Sequence, residues 1–220
     1  QHGLTSCAES WELADRPEGQ SVIANGPLQG RRLNEALAEM NGSLLGKGKS
    51  ASSFPLLIKI IDASKRLSVQ VHPDERTAQI AKGEPKTEMW YVLDAEQEAF
   101  IYAGLKTGTT PETLRSELES GNVESVLQKL PVKKGDAVFI PGGRVHAIGE
   151  GCLLLEVQQN SNTTYRVYDW GRVGKDGKPR ETHVEQAMQT INWNDTESSL
   201  LPGLESRTEN GNGLTVIIRC

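Results

Sequence analysis

The sequence contains few cysteines, and their spacing fits neither a disulfide framework nor a metal knuckle. Cys7, Cys152 and Cys220 are widely separated, odd in number and lack Cys-x-x-Cys spacing. Cysteines of this kind are typical of reduced thiols in a cytosolic protein. The sequence also lacks a recognisable signal peptide, an internal repeat and any apolar run near the roughly 20 residues that cross a membrane. We therefore expect a cytoplasmic protein with no membrane partner.

An excess of positive charge is absent as well. The chain carries 24 Lys and Arg residues against 29 Asp and Glu residues, a net charge of −5. No basic stripe is available to neutralise a phosphate backbone, which excludes nucleic acid as a partner. A small anionic substrate remains possible, since it needs only a local cluster of Lys and Arg. With 220 residues, 36% of them hydrophobic, the chain can form one large domain or two small ones.

The segment GDAVFIPGGRVH (135–146) predicts a strand of fixed length followed by a histidine. A Gly-Asp turn begins it, residues 137–140 form the strand, and Pro141-Gly142-Gly143 ends it. These breaks place His146 at a defined position on the next strand, which suits a metal ligand. When the segment is taken alone, an ordinary hairpin with a surface histidine is the favoured interpretation.

A second segment adds donors of the kind that divalent transition metals bind. Residues 67–72 alternate as a strand does, so Gln70 and His72 point to the same face. Another predicted strand carries Glu88 near its start. Two neutral imidazoles, a carboxylate and an amide oxygen provide four metal donors.

The remaining pattern predicts short strands with little helix. We expect the strands at 54–61, 67–71, 89–93, 99–102, 152–157 and 164–168, with 89–93 and 99–102 paired across 94–98. Helical patterns occur at 33–40, 77–82 and 110–130, and Thr182 with Glu185 forms a predicted capping box for a last helix. Many short strands with turn punctuation indicate a mainly β barrel or jelly roll.

The segment 135–146 matches the second motif of the cupins, which are double-stranded β-helix barrels, and Gln70-x-His72 with Glu88 resembles an altered first motif. More specifically, the chain resembles the short type I mannose-6-phosphate isomerases over nearly its whole length. The strings that carry the resemblance are ESWELADRP, FPLLIKIID, SVQVHPD, KTEMWYVLDA, VHAIGEG, EVQQNSNTTYRVYDWGR and DGKPRETH. The resemblance implies a cupin-type catalytic domain over residues 1–220 with a helical insertion at about 110–130. It further implies an aldose–ketose isomerase with one Zn²⁺ per chain, interconverting mannose 6-phosphate and fructose 6-phosphate through an enediol.

Carried over position by position, the resemblance places the zinc ligands on Gln70, His72, Glu88 and His146, and the active-site arginine on Arg166. We expect Arg166 to stabilise the enediolate or orient the sugar, because its guanidinium is always charged. A salt bridge on the barrel wall is the alternative.

Lys86 precedes Glu88 by two residues and so faces inward with it. It is a candidate for phosphate binding or proton transfer, against the alternative of a surface lysine. Arg172 is a second candidate for substrate binding. A solvated loop is favoured for Lys175, and His2 and His183 are expected to be surface residues.

Two rival functions remain open from the residues. His72, Asp74 and His146 also fit the two-histidine, one-carboxylate set of non-haem iron oxygenases. A non-catalytic sugar-binding cupin would keep the barrel without a catalytic arginine. We expect a monomer or homodimer. Both ends look truncated, since the family's N-terminal Trp-Gly-Gly lead-in and most of its C-terminal β region are missing.

Overall fold

The computed structural model describes residues 8–40, 43–46, 51–174 and 177–201, together with the backbone of two C-terminal strands at 205–209 and 212–216. Cys7, Cys220, His2 and Lys175 lie outside the described residues. Cys152 is a buried free thiol, and burial raises its pKa to about 11. Within the described ranges, no helix is both long enough and apolar enough to cross a bilayer.

Strands make up most of the regular structure. In chain order the described strands are β1 (Glu9–Leu13), β2 (Asp15–Arg16), β3 (Gly19–Gln20), β4 (Leu56–Ala63), β5 (Val69–Val71), β6 (Glu88–Ala95), β7 (Phe100–Leu105), β8 (Leu127–Pro131), β9 (Ala137–Ile140), β10 (His146–Ile148), β11 (Cys152–Gln159), β12 (Tyr165–Tyr168), β13 (Glu205–Glu209) and β14 (Asn212–Val216). The described α-helices are α1 (Leu33–Glu39), α2 (Glu75–Ala81), α3 (Pro111–Ser120) and α4 (Val184–Thr190), with 3₁₀ turns at Ser43–Leu45 and Val123–Val126.

Two five-stranded antiparallel sheets form the body of the fold. The first sheet has the order β1-β4-β11-β6-β9, and the second has the order β12-β5-β10-β7-β8. Strand β11 lies at the centre of the first sheet, as its apolar sequence predicts. The predicted mainly β, cupin-type jelly roll is confirmed.

One core lies between the sheets and another lies outside the second sheet. Between the sheets, residues such as Trp90 and Leu154 of the first sheet pack with Ile101 and Ile148 of the second. On the other face of the second sheet, α3, the second 3₁₀ turn and α4 cover a separate buried cluster that includes Leu114. The helices therefore support the second sheet from outside and leave the space between the sheets to the strands.

The predicted pairing of 89–93 with 99–102 is wrong. Strand β6 pairs with β9 and β11, whereas β7 pairs with β8 and β10 in the other sheet. Both strands carry apolar residues that face the space between the sheets, and each sheet supplies one wall of it. Periodicity identifies each strand but does not say to which sheet it belongs.

Two local predictions about helices also differ from the structure. The helical segment ends at Val126, and residues 127–130, expected to be helical, belong to β8, which pairs with β7. The predicted capping box at Thr182 is absent, because α4 begins after His183 with no side-chain cap. Glu185 instead makes a two-pronged ion pair with Arg115 of α3, at 2.8 and 2.9 Å.

Candidate metal centre

At one end of the first sheet, the inward-facing positions change from apolar to charged. Alternate residues of each strand face inward, and one inward row consists of Ile61, Leu154 and Val92. Two residues along each strand, the next row consists of Lys59, Glu156 and Trp90. Glu88 follows Trp90 on the same face of β6 and is 2% exposed. At this end of the first sheet, the charged side chains therefore lie beyond an apolar row that separates them from the core.

The second sheet presents a matching row from the opposite side. Gln70 of β5 is in register with Arg166 of β12 and with His146 of β10. Because residues in register across antiparallel strands point to the same side, these three side chains form one line across the sheet. The ring of His146 meets Trp90 of the first sheet edge to face, with centroids 5.3 Å apart. The two rows thus meet across the gap.

The Pro-Gly-Gly turn brings the two predicted motifs together. The amide of Gly143 donates to the carbonyl of His72 at 2.7 Å. A Cβ on Gly142 would lie 2.7 Å from the Cα of Asp74, so this position requires glycine. The turn after β9 therefore packs directly on the end of β5 and places His146 beside His72.

His72, Glu88 and His146 form a buried cluster whose donor atoms lie within 4.8 Å of one another. Each histidine Nε2 lies 3.4 Å from a different oxygen of Glu88. Gln70 faces the same cavity. The structure thus brings together the three charged or imidazole residues of the predicted ligand set and places Gln70 alongside them.

Burial keeps both histidines neutral at physiological pH. It lowers the pKa of His72 to about 3, with help from the Lys86 cation, and it also lowers the pKa of His146. Nδ1 of His146 donates to the carbonyl of Arg144 at 2.9 Å, because a carbonyl can only accept. Nε2 of His146 consequently carries a lone pair, and it has no hydrogen-bond partner among the described residues. A neutral imidazole held in this way is the form that binds a metal ion.

Lys86 is buried beside this cluster rather than at the surface. Its Nζ lies 3.1 Å from Glu88 Oε2 and 3.1 Å from His72 Nε2. Burial alone would raise the pKa of Glu88, but Lys86 and His72 outweigh it and hold that pKa well below its usual range. Burial opposes the charge on Lys86 too, yet Glu88 and Glu156 raise its pKa. The pair is therefore charged, with Lys86 as a fixed cation at the cluster.

Glu156 is a site residue that the sequence reasoning missed. It is 4% exposed; its Oε2 accepts from Trp90 Nε1 at 2.9 Å and its Oε1 lies 3.4 Å from Lys59 Nζ. Burial, followed by the negative charge of Glu88, raises its pKa. The sequence CLLLEV (152–157) does point to this residue. Cys152 and Leu154 face inward, and the alternation along the strand places the Glu156 carboxylate on the same face.

Arg166 is anchored from outside the cavity by residues of the chain that follows it. Its Nη1 donates to the carbonyl of Glu181 at 2.8 Å, and its backbone amide donates to Nδ1 of His183 at 3.2 Å. His183, expected to be a plain surface residue, therefore fixes the backbone that carries Arg166. Arg172 lies beside the site but outside the cavity lining, bound to Asp169 and to the carbonyl of Arg66.

Asp74 performs a structural task. Its Oδ1 accepts from the amide of Thr77 at 2.6 Å and from the Thr77 hydroxyl at 2.7 Å, which caps α2. The carboxylate that joins His72 and His146 in the cluster of possible metal ligands is Glu88, not Asp74. The geometry therefore disfavours the iron-oxygenase triad of His72, Asp74 and His146.

A single cavity of about 420 Å³ joins these groups. Its lining includes Gln70, His72, Lys86, Glu88, Glu156 and Arg166. His146 is fully buried behind this lining.

Comparison with known proteins gives consistent matches. The model of the family "Phosphomannose isomerase type I, catalytic domain" matches residues 3–107. A mannose-6-phosphate isomerase of Streptococcus mutans is 45% identical over 184 residues, which are 83% of this chain and 57% of that protein. The chain thus spans little more than half the length of this relative.

Solved structures agree on the fold. The crystal structure of mannose 6-phosphate isomerase from Bacillus subtilis matches with a TM-score of 0.85 at 33% identity, over 97% of this chain and 67% of that one. A mannose 6-phosphate isomerase bound with zinc and yttrium matches with a TM-score of 0.60 at 15% identity, over 92% of this chain and 70% of that one. The second match supports the fold alone. Since the family model, the S. mutans sequence and the B. subtilis structure agree, the chain belongs to the type I phosphomannose isomerase family.

Proposed function

We propose that the protein is a zinc-dependent aldose–ketose isomerase that interconverts mannose 6-phosphate and fructose 6-phosphate through an enediol. The observation that carries the proposal is the cavity itself. It places a buried donor cluster of His72, Glu88 and His146 beside the fixed cations Lys86 and Arg166. The S. mutans and B. subtilis relatives are both mannose-6-phosphate isomerases, which supports the same substrate.

The donor set fits a zinc ion. Two neutral imidazoles and one carboxylate would hold the ion, and the amide oxygen of Gln70 would complete the set. The unpartnered lone pair of His146 Nε2 is the strongest sign that the cluster binds a cation. A zinc ion held by one carboxylate keeps a formal charge of +1 and supplies Lewis acidity toward the substrate oxygens.

Isomerisation transfers a proton from C2 of the aldose to C1, while the hydroxyl proton on O2 moves to O1. We assign the carbon proton to Glu156, a cavity-lining carboxylate whose pKa burial raises. Its Oε1 lies 3.4 Å from Lys59 Nζ and accepts no hydrogen bond among the described residues. A carboxylate with a raised pKa removes a proton and returns it to the neighbouring carbon more readily than a fully solvated one. The buried ammonium of Lys86 stays protonated, so it acts as a hydrogen-bond donor rather than as the base.

Arg166 complements the negative charge of the sugar phosphate. Its guanidinium is planar and remains charged, so it can hold an anionic oxygen, a phosphate oxygen included, without titrating. Its Nε is buried with no hydrogen-bond partner among the described residues. A substrate oxygen would satisfy this donor.

A coupled assay with mannose 6-phosphate, run with and without a chelator, tests the proposal. We expect turnover that falls on chelation and returns when zinc is added back. Turnover that survives thorough metal removal would contradict it.

The assay should be repeated on Arg166→Ala with the metal content measured in parallel. Loss of turnover with metal retained supports the isomerase. If the unmodified protein binds the sugar phosphate but does not turn it over, the result would instead indicate a sugar-binding cupin.

A further inference from the structure

Two arginines bind one carboxylate at the end of the cavity formed by β12, and a third arginine, Arg166, lines the cavity there. Asp169, 6% exposed, directly follows β12. Its carboxylate accepts from Nη2 of both Arg172 and Arg180, and its Oδ2 also accepts from Nε of Arg180 at 2.8 Å. Together with Arg166 this cluster holds three positive charges and one negative charge.

Arg172 and Arg180 differ in how many of their hydrogen-bond donors are left unused. Arg172 uses all three of its nitrogens within the protein: Nη2 on the Asp169 carboxylate, Nε on the Asp169 carbonyl at 3.3 Å, and Nη1 on the Arg66 carbonyl at 2.9 Å. Arg180 commits only Nε and Nη2, both to Asp169. Its Nη1 has no acceptor among the described residues, its side chain is 46% exposed, and it lines the cavity where Arg172 does not.

Arg166 and Arg180 act on the same part of the cavity. Both side chains line the cavity. After burial, the positive charge of Arg180 is the strongest influence lowering the pKa of Arg166. Neighbouring lining residues on this side are neutral and polar: Ser68, Asn162 and Thr164. The lining carboxylates Glu9, Glu88 and Glu156 lie on the first sheet, where Lys59 and Lys86 face them. An excess of positive charge is thus confined to the end of the cavity at β12.

The spacing suits a substrate that reaches from the donor cluster to the arginines. Arg166 lies on β12 and His146 on β10, with β5 between them, so their strands are about 10 Å apart. An extended hexose 6-phosphate spans seven bonds from C1 to phosphorus, roughly 9 Å at the 3.8 Å covered by three backbone bonds. A sugar with C1 at the donor cluster would therefore bring its phosphate to the arginines.

We propose that Arg180, oriented by Asp169, holds the phosphate of the substrate together with Arg166, and that Arg172 is a positioning residue that fixes Asp169. This assignment rests on the proposed sugar-phosphate substrate. It gives the phosphate a two-guanidinium site in which the free Nη1 of Arg180 is the donor that the protein leaves unused.

The test compares Arg180→Gln with Arg115→Gln, whose arginine pairs with Glu185 on the surface away from the cavity. Binding of inorganic phosphate is measured by calorimetry, and kcat and KM are measured with mannose 6-phosphate. We expect Arg180→Gln to weaken phosphate binding and to raise KM by roughly 10- to 100-fold, the size of one lost charge-assisted contact, with kcat within about threefold. Arg115→Gln should leave both unchanged.

Phosphate binding and KM within twofold of the unmodified protein in Arg180→Gln would overturn the assignment, as would a fall in kcat with KM unchanged. If Arg180→Gln folds poorly, Arg180→Lys decides. Intermediate phosphate affinity supports the assignment, because lysine keeps the charge without the two-pronged geometry, and unmodified affinity overturns it. If the unmodified protein binds phosphate through Arg180 but isomerises no sugar, the proposed function fails while the anion site stands.

Discussion

The two ends of the space between the sheets are built from the same strands but have opposite character. At the apolar end, Ile61, Leu154 and Val92 pack into the apolar cluster between the sheets. Two residues further along, the same strands present Lys59, Glu156 and Trp90. The apolar end is suited to stabilise the fold, and the polar end is suited to chemistry.

The polar end shows how a β sandwich can hold buried charge. Two buried carboxylates at this end, Glu88 and Glu156, each have a cation within 3.4 Å, Lys86 for Glu88 and Lys59 for Glu156. Buried ion pairs contribute little net stability, since desolvation offsets their attraction. Removing one partner of such a pair leaves the other charge buried and unpaired, so substitutions at this end should lower both activity and stability, whereas substitutions at the other end should lower stability alone.

The largest effect is expected at the polar end, from Glu88→Gln. It removes the only carboxylate of the metal-type cluster in the described part of the chain. We expect metal affinity and turnover to fall by more than the roughly 10- to 100-fold that follows loss of a group that merely supports a ligand. Metal analysis and the coupled assay measure this, with the exposed Glu119→Gln as control. If Glu88→Gln kept full metal content and turnover, the polar end would not be the site of metal binding and chemistry, and the contrast between the two ends would not hold.

At the apolar end, Leu154→Ala should lower the free energy of unfolding by about 2–5 kcal/mol, because Leu154 is fully buried and a cavity remains. Denaturant titration measures the loss. Leu153→Ala, at an outward-facing and half-buried position of the same strand, is the matched control and should cost less. The folded fraction of Leu154→Ala should keep its metal content. A selective loss of metal would show that the two ends are not separable.

A smaller effect is expected for Asp169→Asn, at the arginine cluster. Burial raises the pKa of Asp169, but Arg180 and Arg172 outweigh it and lower that pKa below 3.8. A carboxyl group with a lowered folded-state pKa stabilises the protein above its ordinary pKa, and this stabilisation is lost as the pH falls through the folded-state value. Asp169→Asn should cost roughly 1–3 kcal/mol at pH 7, and the difference should shrink below about pH 4. Urea unfolding at several pH values measures it. A difference independent of pH would contradict the charge argument.

The smallest effect is expected for Asp74→Ala, which removes the α2 cap. We expect a loss of about 1 kcal/mol in the free energy of unfolding, with metal content and turnover unchanged. Loss of bound metal would instead revive the triad in which Asp74 is a ligand.

The sequence predicted the class of fold and most of the strands, because alternation is a local signal. The predictions that were wrong concern contacts between residues distant in the chain. Glu185 was expected to cap its own helix, but its carboxylate forms an ion pair with Arg115, 70 residues away. Likewise the pattern of β6 and β7 showed two strands, and only the packed structure assigns them to different sheets.

The candidate site shows the same division. Alternation and turn residues were enough to identify Gln70, His72, Glu88 and His146 as candidates. The structure brings them together at one end of the space between the sheets, while their binding of zinc stays a prediction. Arg180 and Asp169 could not be found in this way. Their role depends on which hydrogen bonds Arg172 and Arg180 make, and residues 169–180 have no periodicity that would reveal it.

The line of Arg166, Gln70 and His146 across the second sheet has a consequence for how the chain folds. Side chains alternate along a strand, so a slip of β10 by one residue against β5 would turn His146 to the opposite face. A misaligned sheet would thus be unable to assemble the donor cluster. A cation that binds there would stabilise only the correctly aligned sheet. Its binding would therefore favour the correct strand register in addition to any part it takes in the chemistry.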